Sequence, residues 1–330
     1  MKRWALIWLF ALGVALMGCV KMERIDSSAE EMISYAVGAY TPSTKATLNS
    51  EGITQFKSKA WLCTTTGNSA LYGDDGETIS YDNPVWSPSR TYYWPKSPLS
   101  YVNFISWYDN GGNPTVTEDS LAWTNRTIDV ADTLMFADVA WRYKSGQVPT
   151  LFHHALTQVK FQAKATTLSD GGNSYVITFN SVTLNNVHKK GTLSLSTADP
   201  GSCGTVAWTT QGWVLDPDEV PGAITHTESV SVTADGDQSP NVIMDFSSVL
   251  PQSTDNITVT LCYTIRTNRA GGHYISENLT TVISLGSYDD WTMNHRTTYT
   301  ITINPVSNAI QFVPSTEDWK ADTSNTLYVE

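Results

Sequence analysis

Short segments in which apolar and polar residues alternate run through most of the chain. In residues 257–265 every second side chain is apolar, and threonines and Cys262 stand between them. Residues 159–165 alternate in the same way. A period of two places successive side chains on opposite faces of an extended strand. Many short strands separated by turn residues are typical of sandwiches, so the pattern predicts an all-β fold.

The composition agrees with a β protein and excludes other classes. Aromatic residues make up 11% of the chain and charged residues 16%, against about 25% charged in an average domain. Disordered chains have few aromatics and a high charge density, so wholesale disorder is excluded. The net charge is −12, with no basic tail or stripe. We therefore expect no nucleic-acid partner.

The first eighteen residues have the features of an export signal. Two basic residues precede an uncharged apolar run, residues 4–17, which is shorter than the about 20 residues that span a bilayer. The run ends at Gly18-Cys19, which resembles the lipobox of bacterial lipoproteins. That resemblance implies cleavage between Gly18 and Cys19 and acylation of Cys19, which would anchor the chain in a membrane. The alternative is an ordinary secretory signal with an incidental cysteine.

The rest of the chain divides into a tether and two β-rich parts. Residues 19–31 are polar and lack periodicity, which predicts a tether. The pattern relaxes near residue 147, which predicts an N-terminal β-sandwich domain over residues 32–147 and a C-terminal one over 148–330. Residues 128–143 are the best helix candidate, and a change of phase near residues 180–181 predicts a β-bulge.

No motif in the sequence indicates catalysis or metal binding. The hydrolase, zinc, phosphate-binding and dinucleotide motifs are absent, so we expect no enzyme, no cofactor and no metal site. His153 and His154 are adjacent, and on a strand they would point to opposite faces. Beyond Cys19 three cysteines remain, an odd number that permits one disulfide bond at most. The twelve tryptophans leave open a surface that stacks on sugars.

Ordered blocks of sequence resemble the fimbrillin-like family, the lipoprotein-derived (type V) pilins. The blocks begin with Tyr-Tyr-Trp-Pro at residues 92–95 and continue through residues 99–108, 132–137, 151–161, 298–303 and 310–319. They follow the lipobox in the order of the family and cover most of the mature chain. The resemblance implies two tandem transthyretin-like β-sandwich domains behind a lipoprotein signal peptide.

The resemblance also implies a route of assembly. Such pilins cross the outer membrane as lipoproteins, and a surface protease cuts after Arg or Lys to release the first strand. In this chain the displaced strand would carry Ile33, Tyr35 and Val37, and the cut would separate Lys45 from Ala46. Arg24 is a second candidate site, but it precedes the strand and would free no groove. The alternative for Lys45 is a plain loop lysine.

A strand from another subunit would then fill the groove. The candidate donor is at residues 326–330, where Leu327 and Val329 share one face. The alternative is a last strand of the subunit's own sheet. The implied function is a structural subunit or adhesin of a cell-surface pilus (fimbria). Its expected partners are other pilin subunits, the outer membrane through the lipid anchor, and a host or bacterial glycan or protein ligand. The alternative function is a lipid-anchored carbohydrate-binding surface lipoprotein that does not polymerise.

Overall fold

The computed structural model describes residues 30–39, 52–166, 173–233, 239–269, 272–306 and 310–319. Within these ranges the chain contains twenty-three strands and no helix, which confirms the all-β prediction. In the same residues there is accordingly no helix with the length and apolar character needed to cross a membrane.

The strands follow one another closely along the chain. The first eleven are β1 (Ser34–Ala39), β2 (Gln55–Thr64), β3 (Gly67–Ala70), β4 (Glu77–Asp82), β5 (Val85–Pro88), β6 (Tyr101–Asp109), β7 (Thr115–Val116), β8 (Ser120–Thr127), β9 (Leu134–Ala137), β10 (Val139–Tyr143) and β11 (Gln147–His154). The next twelve are β12 (Thr157–Ala165), β13 (Ser174–Val187), β14 (Lys190–Ser196), β15 (Gly204–Val206), β16 (Thr209–Leu215), β17 (Gly222–His226), β18 (Val230–Thr233), β19 (Asn241–Val249), β20 (Thr258–Arg269), β21 (Gly272–Ser284), β22 (His295–Ile303) and β23 (Ile310–Asp318).

The helix predicted for residues 128–143 is wrong. The segment forms β9 and β10 instead, and all four residues of β9 are buried. Leu134 and Phe136 pack into one hydrophobic cluster, while Met135 and Ala137 pack into another on the opposite face. A strand covered on both faces is apolar throughout and loses the alternation that marks a half-buried strand. The sequence therefore offered no period of two at this place.

Ten strands, all from the first half of the chain except β15, build a sheet that closes on itself. Its strand order is β15-β10-β6-β9-β11-β1-β5-β4-β2-β3, and β2 also pairs with β6. The strands from β6 through β1 to β2 therefore form a ring. Side chains from around the ring share one hydrophobic core, whose large members include Phe56, Trp86, Phe104 and Phe152.

The second half of the chain forms two sheets around a separate core. One sheet has the order β19-β12-β22-β23, and the other has the order β17-β13-β20-β21 with β18 also paired to β13. Phe161, Phe179 and Tyr299 are among the buried residues of their common core. The pairing of β13 with β20 shifts between Phe179 and Ser181, which confirms the predicted bulge.

A third layer connects the two parts. The sheet β16-β14-β8-β7 combines strands from both halves of the sequence. Its residues Trp123, Leu193 and Leu195 share a core with Ile105 and Trp107 of β6. In addition, β11 pairs with β1 and β9, so strand pairings cross the division predicted at residue 147. The division into domains 32–147 and 148–330 remains a prediction.

The three cysteines among the described residues are free. Cys63 is buried, Cys203 is exposed, and Cys262 is half-buried on the threonine-bearing face of β20, as its sequence position predicted.

Candidate functional site

The candidate site is β1 together with the groove that holds it. β1 lies between β5 and β11 in the closed sheet. It runs parallel to β11 in a register that begins at Ser34↔Gln147 and ends at Ala39↔Phe152. On its other side it pairs antiparallel with β5, where Tyr35 faces Trp86. Both edges of the first strand are therefore occupied by neighbours, and its removal would leave two strand edges facing each other.

The residues before β1 are fixed to two loops. The backbone N–H of Ile33 donates to the carbonyl of Tyr92 at 2.8 Å, and the N–H of Trp94 donates to the carbonyl of Glu31 at 3.0 Å. The Glu31 side chain accepts a hydrogen bond of 2.8 Å from the N–H of Gly146. These contacts hold the chain in place up to the start of the strand.

The inward face of β1 fills the centre of the core. Ile33 and Tyr35 are buried, with exposures of 2% and 1%, whereas Ala36 is exposed. The Tyr35 ring meets the rings of Phe56 and Phe104 edge to face, at centroid distances of 5.6 and 5.9 Å. This alternation agrees with the sequence-based assignment of the strand.

Beneath β1 lies a small cluster of buried hydroxyl groups. The Tyr35 hydroxyl donates to Ser58 Oγ at 3.1 Å and shares a hydrogen bond of 3.0 Å with the Tyr72 hydroxyl. Ser106 Oγ donates to Ser58 Oγ at 3.0 Å. Burial raises the pKa of both Tyr35 and Tyr72 above the ordinary tyrosine value. Both phenols therefore stay protonated and can each donate one hydrogen bond.

Glu77 lies beside this cluster. Burial alone would raise the pKa of its carboxyl group, but hydrogen bonds from Ser89 and Tyr92 and the charge of Arg90 outweigh it and hold the pKa below the ordinary value. The bond from the Tyr92 hydroxyl is 2.7 Å long. Tyr92 in turn packs against Tyr72, with ring centroids 4.6 Å apart. The Glu77 carboxylate thus fixes Tyr92, and Tyr92 packs against Tyr72 of the hydroxyl cluster.

Only part of the predicted site lies among the described residues. Of the predicted first strand, Ile33 and Tyr35 face the core and Val37 is half-buried against it. The lipidation site Gly18-Cys19, the processing site Lys45-Ala46 and the donor residues Leu327 and Val329 lie outside the described ranges.

The two adjacent histidines point to opposite sides of β11. His153 Nε2 lies 3.0 Å from Asp138 Oδ1, and its ring stacks on Phe136. His154 stacks on Trp319 with ring centroids 3.9 Å apart. Across the described part of the chain, no group of three or more His, Cys, Asp or Glu residues is placed to hold a metal ion.

The tryptophans in the described ranges do not form an exposed platform. Trp4 and Trp8 lie outside these ranges, and none of the other ten is classed as exposed. Trp208 and Trp213 are half-buried, and their indole N–H groups donate to the backbone carbonyls of Ala137 and Ala155, both at 2.7 Å. These two indole groups are therefore held against the protein backbone.

The fold and the site define an all-β protein whose first described strand fills a groove in a closed sheet. A family model with the description fimbrillin-like matches residues 40–319. The chain belongs to the fimbrillin-like family, which confirms the resemblance that the sequence blocks indicated. The matched range begins directly after β1 and ends at Trp319.

Solved structures resemble this chain at low sequence identity. A candidate cell adhesion protein from Bacteroides uniformis is 16% identical, with a TM-score of 0.51 over 88% of this chain and 99% of its own. A fimbrial protein from Bacteroides vulgatus is 13% identical, with a TM-score of 0.49 over 87% of this chain and 99% of its own. The first likeness shows a common fold. No curated protein matches the chain.

Proposed function

We propose that this protein is a structural subunit or adhesin of a cell-surface pilus, which assembles with other pilin subunits by exchange of strands. The observation that carries the proposal is the place of β1, the first described strand, between β5 and β11. Family membership supports the same function, as does the name of the cell adhesion protein from Bacteroides uniformis that shares the fold. The proposed role involves no catalysis.

The physical basis of exchange is the state of the groove after β1 leaves. The edges of β5 and β11 would expose unpaired backbone N–H and C=O groups, and the floor would expose apolar side chains. An incoming strand satisfies both, because its backbone pairs with the edges and its alternate side chains fill the floor. Each buried backbone group left unpaired costs on the order of 1–3 kcal/mol, which disfavours an empty groove.

The proposal includes the steps that precede assembly. The precursor is exported as an outer-membrane lipoprotein anchored through Cys19, and a protease cuts between Lys45 and Ala46 to release the strand that contains Ile33, Tyr35 and Val37. Each subunit consists of two tandem transthyretin-like domains, and the donor strand comes from residues 326–330. A Cys19→Ala variant is expected to lose labelling with palmitate, and a variant that is still labelled would contradict the anchor.

Deletion of residues 321–330 tests the exchange. We expect the deleted protein to fold as a monomer, seen by an unchanged thermal unfolding transition, and to lose the ladder of polymers on denaturing gels. The double variant Thr323→Ala, Ser324→Ala serves as a control that changes the same segment outside the proposed strand, and it should keep the ladder. Unchanged ladders after the deletion would remove the donor-strand role from this segment.

A further inference from the structure

We propose that the groove of β1 selects an incoming strand that places a tyrosine on its inward face, at the position that Tyr35 occupies. The partner is an extended segment of another pilin subunit that turns this tyrosine inward. This inference rests on the proposed strand exchange and adds a rule for which strands the groove accepts.

The preference for tyrosine follows from the cluster of buried hydroxyl groups beneath β1. Tyr35, Ser58 and Tyr72 are 1%, 0% and 2% exposed, so their hydroxyl groups lie away from solvent. Ser58 keeps partners when β1 leaves, because Ser106 Oγ donates to it at 3.0 Å and it donates to the carbonyl of Ile105 at 3.3 Å. Among the described residues, the hydrogen bond of the Tyr72 hydroxyl is the one it shares with Tyr35. Tyr72 therefore depends on the strand that occupies the groove.

A strand with an apolar residue at this position would bury the Tyr72 hydroxyl without that partner. Sites built to hydrogen-bond a hydroxyl group reject analogues that lack it, because the buried polar group is then left unpaired. A phenylalanine would fill the same space between Phe56 and Phe104 but supply no hydroxyl. The cost is confined to the missing hydrogen bond, which makes phenylalanine the sharpest comparison.

The neighbouring positions set the rest of the pattern. Ile33 is buried and Val37 is half-buried against the same core, so residues two before and two after the tyrosine contact apolar surface. Ala36 is exposed, so the position after the tyrosine is free to vary. In the chain's own strand the order is thus aliphatic, any residue, tyrosine, any residue, aliphatic, and the tyrosine is the member that makes a polar contact.

The rule changes the expectation for this chain's own C-terminal segment. If Leu327 and Val329 face inward, as their alternation predicts, the segment offers no hydroxyl group to Tyr72. A segment with this sequence supplies the tyrosine only when Tyr328 faces inward, which places Thr326 and Glu330 at the positions that Ile33 and Val37 occupy in β1. Exchange of a Tyr328→Phe peptide therefore reports which face enters the groove.

Peptide exchange into the full chain tests the rule. A recognition sequence for a site-specific protease is inserted between Lys45 and Ala46, so that after cutting β1 is held by noncovalent contacts alone. Fluorescent peptides with the sequence of residues 30–39 or 320–330 are then added, and their retention is measured by anisotropy at equilibrium. We expect Tyr35→Phe and Tyr328→Phe peptides to bind about tenfold to a hundredfold more weakly than their parents.

Two controls isolate the hydroxyl group. An Ala36→Ser peptide changes an exposed position and should bind like its parent. In a Tyr72→Phe chain the preference for tyrosine over phenylalanine should shrink several-fold, because the dependent hydroxyl is gone. This coupling would not arise if Tyr35 acted only by filling space.

The outcomes separate the rule from the exchange on which it rests. Equal binding of parent and phenylalanine peptides, with exchange intact, would overturn the tyrosine rule and leave the proposed function standing. If the parent peptide of residues 30–39 itself fails to exchange, strand exchange is overturned and the rule with it.

Discussion

Buried polar side chains next to β1 form hydrogen bonds inside an otherwise apolar core. Glu77 accepts a hydrogen bond of 2.7 Å from the Tyr92 hydroxyl and another from Ser89 Oγ. Tyr72 and Tyr35 join their hydroxyls at 3.0 Å a short distance away. A buried polar group that loses its hydrogen-bond partner lowers the stability of the fold. Single substitutions at these residues should therefore destabilise the protein around β1.

The carboxyl group of Glu77 predicts a pH dependence of stability. Its pKa is lower in the folded protein than in the unfolded chain, where hydrogen bonds from Ser89 and Tyr92 are absent. A lowered pKa stabilises the fold above the ordinary glutamate range, and this stabilisation is lost as the pH falls through the folded-state pKa. We expect urea unfolding between pH 7 and pH 3 to show a smaller loss of stability in Glu77→Gln than in the parent.

Tyr92→Phe provides the matched comparison, because it removes one of the hydrogen bonds that Glu77 accepts. Because the pKa of Glu77 in this variant lies closer to its unfolded value, the variant should lose less stability between pH 7 and pH 3 than the parent, and more than Glu77→Gln. Parallel curves for the parent, Tyr92→Phe and Glu77→Gln would contradict the role of Glu77.

The described cysteines should differ sharply in reactivity. Burial raises the pKa of the Cys63 thiol to about 12, and the nearby Glu118 carboxylate adds to the effect. Cys203 is exposed. Since the thiolate is the reactive form, we expect a thiol reagent at pH 8 to modify Cys203 first and Cys63 only when the protein unfolds. Site-resolved mass spectrometry measures both rates, and equal rates would show that Cys63 is accessible in the folded state.

At the scale of elements, the third layer depends on a close approach at Gly191 of β14. A Cβ atom there would lie 2.9 Å from the carbonyl oxygen of Val214 and 3.3 Å from Trp213 Cε3. Both neighbours belong to β16, so the strand or the indole would have to move. We expect Gly191→Ala to lower the free energy of unfolding by about 1–3 kcal/mol.

Gly204→Ala is the matched control in β15, because no heavy atom lies within 4 Å of its added Cβ. Its effect should stay within about 0.5 kcal/mol. Urea denaturation of the two variants measures both changes. Equal stability of the two variants would show that β14 and β16 do not need the glycine.

Elements with one solvent-facing side could be predicted from the sequence, and elements buried on both sides could not. Residues 159–165 alternate, and they lie within β12. Residues 33–37 overlap β1, which covers Ser34–Ala39. By contrast, β9 is apolar at every position and was read as helix. Alternation records the exposure of one face, so it is absent where both faces are covered.

In the candidate site, the sequence predicts which side chains of β1 face inward but not which residues they contact. The inward positions of Ile33 and Tyr35 follow from alternation, but their partners do not. Ser58 and Tyr72 are 23 and 37 residues away from Tyr35 along the chain, and the sequence between them carries no signal of the contact. Long-range pairing in the closed sheet brings these residues together, and a single sequence does not encode it in any local period.

At the scale of the whole molecule, one strand links the groove to the end of the described chain. β11 pairs along β1 in the groove, and its last residue, His154, stacks on Trp319. The backbone N–H of Trp319 donates to the carbonyl of Asn294 at 2.8 Å, while Asn294 Oδ1 accepts from the N–H of His154 at 3.0 Å. The structure is therefore continuous from the groove to the residue that precedes the C-terminal segment.

This continuity suits a subunit that transmits load along a fibre. In the proposed assembly, a strand held by β11 in one subunit comes from the segment that follows Trp319 in the next. The shared core of β6, β8 and β14 joins the two parts of each subunit behind this contact.

The N-terminal sequence of subunits in assembled polymers tests the central claim most directly. Polymers sheared from the cell surface are purified, and their subunits are analysed by N-terminal sequencing and peptide mass spectrometry. The account predicts subunits that begin at Ala46 and contain no peptide covering residues 33–37. Polymers whose subunits begin at Cys19, or otherwise retain residues 33–37, would contradict assembly by release of the first strand.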